Sequence, residues 1–193
     1  THLQWWEGAQ LTQLNFFDTH LKQRHEKYLF PQINLWNLTT KSWEVSVKEE
    51  TPEWRLHSEG LAAISHLEGS LIPASISKAD GEVNLVHDPW RPVPSIGGHL
   101  SDTPGEGNRS NLDKRADVAV FTSPPISKDL RLEGVPILSL DTSCDRESFD
   151  LFVALSIIPN QTENIASQLS TGVLRVTNCE ERTKSHVEIR LQP

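Results

Sequence analysis

The stretch that decides the fold covers residues 149–157 and reads FDLFVALSI. Every odd position in it is apolar: Phe149, Leu151, Val153, Leu155 and Ile157. The even positions include the polar residues Asp150 and Ser156. A period of two places alternate side chains on opposite faces of an extended chain, so this stretch predicts a β-strand with one buried face.

The same alternation recurs on both sides of this stretch. Residues 187–191 alternate Val, Ile and Leu with Glu and Arg, and residues 43–47 alternate Trp, Val and Val with Glu and Ser. Residues 30–35 add Phe30, Ile33 and Leu35. Proline and glycine separate the segments at 89–94, 97–98, 104–107, 124–125 and 159–160. Short strands between such turns predict a mainly β fold, a jelly-roll β-sandwich.

Two segments depart from the strand pattern. From residue 8 to residue 23 the apolar residues recur three or four positions apart, as Leu11, Leu14, Phe17 and Leu21, with Phe16 beside them. This spacing predicts one N-terminal amphipathic α-helix with its apolar stripe packed against another element. Residues 101–113 are polar and contain glycine, and we expect them to form a long surface loop.

Composition narrows the function classes. The 193 residues carry a formal net charge of −8 and a pI of about 5.4, and an acidic surface repels phosphate backbones, so we expect no nucleic-acid partner. No apolar run reaches the ~20 residues that a membrane span needs, so we expect no membrane partner. We expect a cytoplasmic protein; a secreted parent is the alternative, since a signal peptide would precede Thr1. The absence of methionine, even at position 1, predicts a fragment of a longer chain.

The familiar motifs of catalysis and cofactor binding are missing. The sequence contains no G-x-S-x-G elbow, no phosphate-binding loop, no dinucleotide fingerprint, no H-E-x-x-H and no pair of C-x-x-C elements. We therefore predict no cofactor and no metal. Cys144 and Cys179 are interpreted as free thiols in preference to a disulfide. Five histidines are interpreted as ordinary helix, strand or loop residues: His20, His25, His57, His66 and His186.

Two groups of residues are candidates for a ligand-binding site. Asp141, Asp145 and Asp150 could supply oxygens to calcium, but their spacing is irregular, and a solvated connection between strands is favoured. Four tryptophans could form a platform on which sugars stack: Trp36, Trp43, Trp54 and Trp90. Core or interface packing is the favoured role of these rings.

Several segments together resemble one protein family. DPWRPVPSIGG (88–98) is similar to the "DP…PVP…GG" segment of the cocaine-esterase and X-Pro dipeptidyl-peptidase family. RADVAVFTS (115–123) resembles its "R-D-V-L-V-F-T-S" strand. Residues 150–158 followed by GVLR (172–175) resemble its "D-F-x-x-x-L … G-x-L-R" pair, and FFDTHLK (16–22) resembles the helix that ends its catalytic domain.

The resemblance implies a domain division and one site residue. In this family an α/β-hydrolase domain precedes a C-terminal jelly roll of the galactose-binding-like type. Residues 1–27 would be the terminal segment and helix of the hydrolase domain, and residues 28–193 the jelly roll. VEIRLQP (187–193) resembles a family strand that another strand follows, so the last strands are expected to be missing. Thr1 and His2 resemble the end of the segment that holds the catalytic histidine, which makes His2 the candidate triad base.

The expected function follows from this resemblance. The parent would be a Ser-His-Asp acyl hydrolase of dipeptidyl-peptidase or esterase type, and this chain would be its non-catalytic β-sandwich domain. It would wall the substrate cleft, support assembly, and have its own α/β-hydrolase domain as partner, with a homo-oligomer as a further expectation. Alone, it is expected to hydrolyse neither esters nor X-Pro amides. The alternatives are a carbohydrate-binding module on a similar sandwich, and a scaffold on an enzyme without its triad.

Overall fold

In the part of the chain that it describes, a computed structural model shows one helix and eight strands. The residues that it describes fall in seven ranges: 7–22, 33–37, 39–47, 51–75, 81–97, 107–159 and 165–192. The chain divides into two compact units, Thr1–Thr51 and Pro52–Pro193. Among the described residues, no helix has the length and apolar character that crossing a membrane requires.

The first unit holds the helix and a hairpin. Helix α1 (Glu7–Leu21) confirms the predicted element. Strands β1 (Asn34–Asn37) and β2 (Ser42–Val45) pair antiparallel, with Trp36 directly opposite Trp43. The hairpin turn contains Lys41 at a φ of 54°, a left-handed conformation that closes the tight connection.

The apolar stripe of α1 is not packed as the sequence predicts. At least half of each stripe side chain is exposed: Leu11 57%, Leu14 61%, Phe17 51% and Leu21 74%. The spacing of the apolar residues determines which side of the helix is apolar. It does not determine which other element packs against that side. Among the described residues of the first unit, this face stays largely open to solvent.

The described residues of the second unit form six strands. In chain order they are β3 (Trp54–His57), β4 (Ser70–Pro73), β5 (Ile137–Thr142), β6 (Ser148–Ile157), β7 (Ser167–Thr177) and β8 (Ser185–Arg190). The pairs β3–β4, β5–β8 and β6–β7 are all antiparallel. The β6–β7 ladder is the longest and has a β-bulge between Leu155 and Ser156. The decisive stretch of the sequence therefore forms the strand it predicts.

The end of β8 links the two long ladders. Leu191 N donates a hydrogen bond of 2.9 Å to Pro136 O beside β5, and Gln192 N donates one of 2.9 Å to Thr171 O on β7. The chains pass so closely that a Cβ on Gly172 would lie 2.7 Å from Arg190 O. The glycine of the G-x-L-R motif is therefore required by packing rather than by a turn.

Among the residues whose burial is described, the buried ones lie in the second unit. The buried apolar side chains there are Ala62, Ala63, Leu112, Ala166, Val187, Ile189 and Leu191. Val187 and Ile189 alternate with exposed residues of β8, as the period of two predicts. Antiparallel pairing around this core, with one N-terminal helix, confirms the mainly β, β-sandwich class.

Two local predictions differ from the structure. Residues 107–113 are only partly a surface loop, since Asn108 and Asn111 are exposed whereas Arg109 and Leu112 are 5% and 3% exposed; residues 101–106 fall outside the described residues. The segment is drawn inward because Arg109 N donates to Ala166 O at 2.8 Å, next to β7. Residues 115–123 form no strand; a single parallel bridge joins Thr122 to Ser70.

Candidate functional site

A turn at residues 88–91 presents one fully exposed tryptophan. Asp88 closes it twice: its Oδ1 accepts a hydrogen bond of 2.9 Å from Trp90 N, and its carbonyl oxygen accepts one of 3.0 Å from Arg91 N. An aspartate side chain that accepts from the backbone two residues on stabilises such a turn. The side chain of Trp90 is 92% exposed. We refer to residues 88–91 as the Trp90 turn.

An ion pair fixes the backbone of the Trp90 turn through a hydrogen bond. Arg115 donates to both carboxylate oxygens of Asp117, with Nε–Oδ1 at 2.7 Å and Nη2–Oδ2 at 2.6 Å. Its Nη2 also donates to Arg91 O at 2.5 Å, on the turn itself. The Arg115 and Asp117 side chains are only 17% and 11% exposed. Hydrogen bonds from Arg115 hold the pKa of Asp117 below its ordinary value, so the pair stays ionised at neutral pH.

The arrangement is suited to binding rather than to chemistry. Two motif segments, 88–98 and 115–123, meet at this pair and fix the backbone that carries Trp90. A large aromatic side chain on a preformed turn loses little conformational entropy when it enters a pocket. Tryptophan is also the residue type most enriched among the few side chains that dominate binding energy. The sequence indicated Trp90 as one of four tryptophans that could bind a ligand. It did not predict the Arg115–Asp117 pair that fixes the Trp90 turn.

A second cluster, which sequence reasoning missed, surrounds Arg109. The guanidinium donates from Nε to Asp113 Oδ1 at 3.1 Å and from Nη1 to Gln168 Oε1 at 3.0 Å. Its Cζ lies 5.9 Å from the centre of the Phe152 ring. Gln168 in turn donates from Nε2 to Ile96 O at 2.7 Å. Because a buried charge is tolerated only when it is paired and hydrogen-bonded, this network holds separate segments together.

A third cluster has the atom order of a catalytic triad. On the solvent face of the β5–β8 ladder, Asp141 Oδ1 lies 3.0 Å from His186 Nδ1, and Ser139 Oγ lies 3.0 Å from His186 Nε2. The order follows from register, since Asp141 lies opposite His186 and Ser139 is two residues away on the same face. The sequence analysis considered Asp141 and His186 separately and did not connect them, because they are 45 residues apart in the chain.

The surroundings of this cluster argue against catalysis. The His186 and Asp141 side chains are 63% and 67% exposed, so water reaches the imidazole freely. Glu188 lies directly opposite Ser139, and its carboxylate would repel a developing oxyanion. The cluster can exchange a proton between a hydroxyl and an imidazole. It lacks the desolvated, donor-lined environment that stabilises an acyl-transfer transition state.

The four tryptophans considered as a sugar platform are divided between the two units, two in each. Trp36 and Trp43 lie edge to face on the hairpin with ring centroids 5.4 Å apart, and they are 46% and 43% exposed. Trp54 is half-buried at the start of β3. Trp90 stands on its own turn in the second unit. Only the hairpin pair is brought together within one unit.

The histidines singled out in the sequence are dispersed. His2 and His25 lie outside the described residues, so the role of His2 stays a prediction. The His20 ring lies 4.4 Å from the Phe16 ring on α1. His57 lies 3.7 Å from Glu59, while His66 is exposed. Among the described histidines of this group, His186 joins a cluster of chemical interest.

The aspartates considered for calcium are held apart by other partners. Asp150 makes two hydrogen bonds with Arg175 across the β6–β7 ladder, at 2.7 and 2.8 Å, which lower the pKa of Asp150. Asp141 pairs with His186. In the described part of the chain, no group of three or more His, Cys, Asp or Glu side chains is arranged to hold a metal ion. Cys144 and Cys179 are free thiols, as favoured from the sequence.

The fold defines a β-sandwich domain, and comparison with known proteins identifies its family. Residues 11–193 match the family described as the X-Pro dipeptidyl-peptidase C-terminal non-catalytic domain. The match spans nearly the whole sequence, and the chain belongs to this family, which confirms the resemblance carried by the motif segments. Searches of curated proteins and of solved structures find no match.

Proposed function

We propose that this chain is the accessory C-terminal domain of an acyl hydrolase of X-Pro dipeptidyl-peptidase or ester and amide hydrolase type. It packs against its own α/β-hydrolase domain, walls the substrate cleft and supports assembly. Residues 28–193 form a galactose-binding-like jelly roll, and residues 1–27 belong to the hydrolase domain. In the parent, His2 is the triad base, and the serine and the acid come from the rest of the hydrolase domain. Family membership supports the proposal at the level of the domain.

The exposure of Trp90 is the observation that supports docking of this domain onto the hydrolase domain. A tryptophan that is 92% exposed would leave a large apolar surface in water unless a partner covers it. The Arg115–Asp117 pair holds the turn in one conformation before any partner arrives. We assign Trp90 as the anchor that enters a pocket of the hydrolase domain.

The apolar stripe of α1 supports the placement of the N-terminal segment. Leu14 and Leu21 are 61% and 74% exposed, although the spacing of the stripe is that of a packed helix. Burying such side chains stabilises a protein by about 1.5–3 kcal/mol each. A helix that belongs to the hydrolase domain would bury this stripe there.

Oxidative footprinting tests the docking role. Hydroxyl radicals would be applied to the 193-residue chain and to the full-length hydrolase, and the oxidation of each residue read by mass spectrometry. We expect Trp90 to be oxidised in the chain alone and strongly protected in the full-length protein. Trp54, half-buried in the chain, serves as an internal reference. Equal oxidation of Trp90 in both proteins would refute the anchor role.

A second candidate function, carbohydrate binding, is favoured by one observation. Trp36 and Trp43 lie side by side on one face of the β1–β2 hairpin, and both are more than 40% exposed. Exposed aromatic rings of this kind stack on the apolar face of sugar rings. Titrating the chain with oligosaccharides while recording tryptophan fluorescence tests this function. A saturable change that Trp36→Ala abolishes and Trp90→Ala preserves would support it, whereas an unchanged spectrum would exclude the sugars tried.

A further inference from the structure

Two asparagines in the described residues begin an N-x-S/T tripeptide. They are Asn37, followed by Leu38 and Thr39, and Asn108, followed by Arg109 and Ser110. This tripeptide, with any residue except proline in the middle, is the acceptor sequence for N-linked glycosylation. A third such tripeptide, at residues 160–162, lies outside the described residues. The tripeptide alone is a common pattern, but Asn37 and Asn108 also share a local hydrogen bond.

The two tripeptides share one local hydrogen bond. Asn37 Oδ1 accepts a hydrogen bond of 2.8 Å from Thr39 N, and Asn108 Oδ1 accepts one of 2.9 Å from Ser110 N. Each is an Asx turn, in which the asparagine oxygen binds the backbone two residues on. The turn brings the hydroxyl-bearing third residue next to the asparagine amide. The two sites belong to different units of the chain.

Both asparagines are at least partly accessible to solvent. Asn108 is exposed, although its neighbours Gly107 and Arg109 are buried. Asn37 lies at the end of β1, next to the hairpin turn, and is half-buried. Its Nδ2 donates to Glu44 Oε1 at 2.8 Å. A glycosylated amide keeps one N–H, so this hydrogen bond can persist after modification.

We propose that Asn37 and Asn108 carry N-linked glycans, a modification that goes beyond the proposed function. Nδ2 forms a bond to the anomeric carbon of an oligosaccharide carried on a lipid diphosphate. The bond from that carbon to the diphosphate oxygen breaks, and the lipid diphosphate leaves with the electron pair. One Nδ2 proton passes to a base of the transferase. This chemistry belongs to the secretory route, so it favours the secreted alternative over the cytoplasmic expectation.

Peptide mapping of the protein isolated from its native cells tests this modification. Enzymatic removal of N-glycans in water labelled with ¹⁸O converts each glycosylated asparagine to an isotope-labelled aspartate. We expect the label at Asn37 and Asn108. Asn84 and Asn111, exposed asparagines outside any tripeptide, serve as controls and should stay unlabelled. A recovered peptide with unlabelled Asn37 or Asn108 overturns the proposal for that residue, whatever the outcome of the docking experiment.

Matched variants separate acceptor recognition from misfolding. With the full chain expressed through a eukaryotic secretory pathway, Thr39→Ala should abolish the glycan on Asn37 and Thr39→Ser should keep it. Likewise, Ser110→Ala should abolish the glycan on Asn108 and Ser110→Thr should keep it. Folded, secreted wild-type chain without either glycan would overturn the proposal. Retention of a glycan in the alanine variants would also contradict it.

Discussion

The guanidinium of Arg109 donates a hydrogen bond of 3.0 Å from Nη1 to Oε1 of Gln168, a residue 59 positions further along the chain. Arg109 is 5% exposed and Gln168 is 4% exposed. The backbone repeats the connection, since Gln168 N donates to Gly107 O at 2.9 Å. These bonds tie the start of β7 to the segment around residue 109. The loss of Arg109 or Gln168 should therefore destabilise both segments.

We predict that Arg109→Met lowers the free energy of unfolding by about 3 kcal/mol or more. Breaking a buried ion pair by removing one partner has a cost of this size, and the Asp113 carboxylate, 20% exposed, is left without its charge partner. Here Asp113 and Gln168 both lose a hydrogen bond. Urea unfolding measures the change. Arg146→Met, at a side chain that is 80% exposed, should change stability by no more than about 0.5 kcal/mol. Equal effects of the two substitutions would contradict the structural role of Arg109.

The close approach of β7 and β8 leads to a second prediction. Gly172→Ala should destabilise the protein by about 1–3 kcal/mol, the usual cost of forcing an extra carbon into a packed region. The new Cβ would lie 2.7 Å from Arg190 O, a backbone atom that cannot move without shifting β8. Val173→Ala, one residue away and 65% exposed before substitution, is the matched control. A Gly172→Ala variant as stable as the wild type would mean that the strands are further apart than described.

The pH dependence of stability follows from Asp117. Its pKa is lowered by hydrogen bonds from Arg115, so the folded state binds its proton less readily than the unfolded chain does. The contribution of this carboxylate is therefore complete above the ordinary aspartate pKa of about 3.9 and is lost as the pH falls through the folded value. We expect wild type to be more stable than Asp117→Asn by a constant amount from pH 5 to 7. Below about pH 4 the difference should shrink.

Urea unfolding at a series of pH values measures this difference. Asp129→Asn, at an exposed carboxylate, is the control and should stay close to wild type at every pH. Other carboxylates contribute to acid unfolding in both proteins and cancel in the comparison. A wild-type advantage that grows on acidification would contradict the role assigned to Asp117.

The regular elements could be predicted from sequence where the pattern is local. The alternation of residues 149–157 and 187–191 predicted β6 and β8, and the three-to-four spacing predicted α1. Strand β5 was missed because Ile137 and Leu138 are adjacent apolar residues and interrupt the alternation. The burial of Arg109 depends on Gln168, far along the chain, and no local pattern encodes it.

The candidate site was only partly accessible to sequence reasoning. The motif segments 88–98 and 115–123 were recognised by resemblance, but their meeting through Arg115 is a tertiary contact. Position in the pattern also does not determine which tryptophan is exposed. Trp54 is half-buried and Trp90 is not, although both were considered for the same role.

The Ser139–His186–Asp141 cluster gives the sharpest test of the non-catalytic assignment. Distances of 3.0 Å on both sides of the imidazole would allow His186 to accept the Ser139 proton. Reactivity also requires donors for the oxyanion and exclusion of water, and the cluster lies on an exposed face opposite Glu188. We therefore predict that a fluorophosphonate does not label Ser139, and that Ser139→Ala hydrolyses p-nitrophenyl acetate at the wild-type rate. Mass spectrometry of the treated chain measures the labelling. Labelling of Ser139 that His186→Ala removes would overturn the prediction, since it would mean that the relay activates the hydroxyl without an enclosed site.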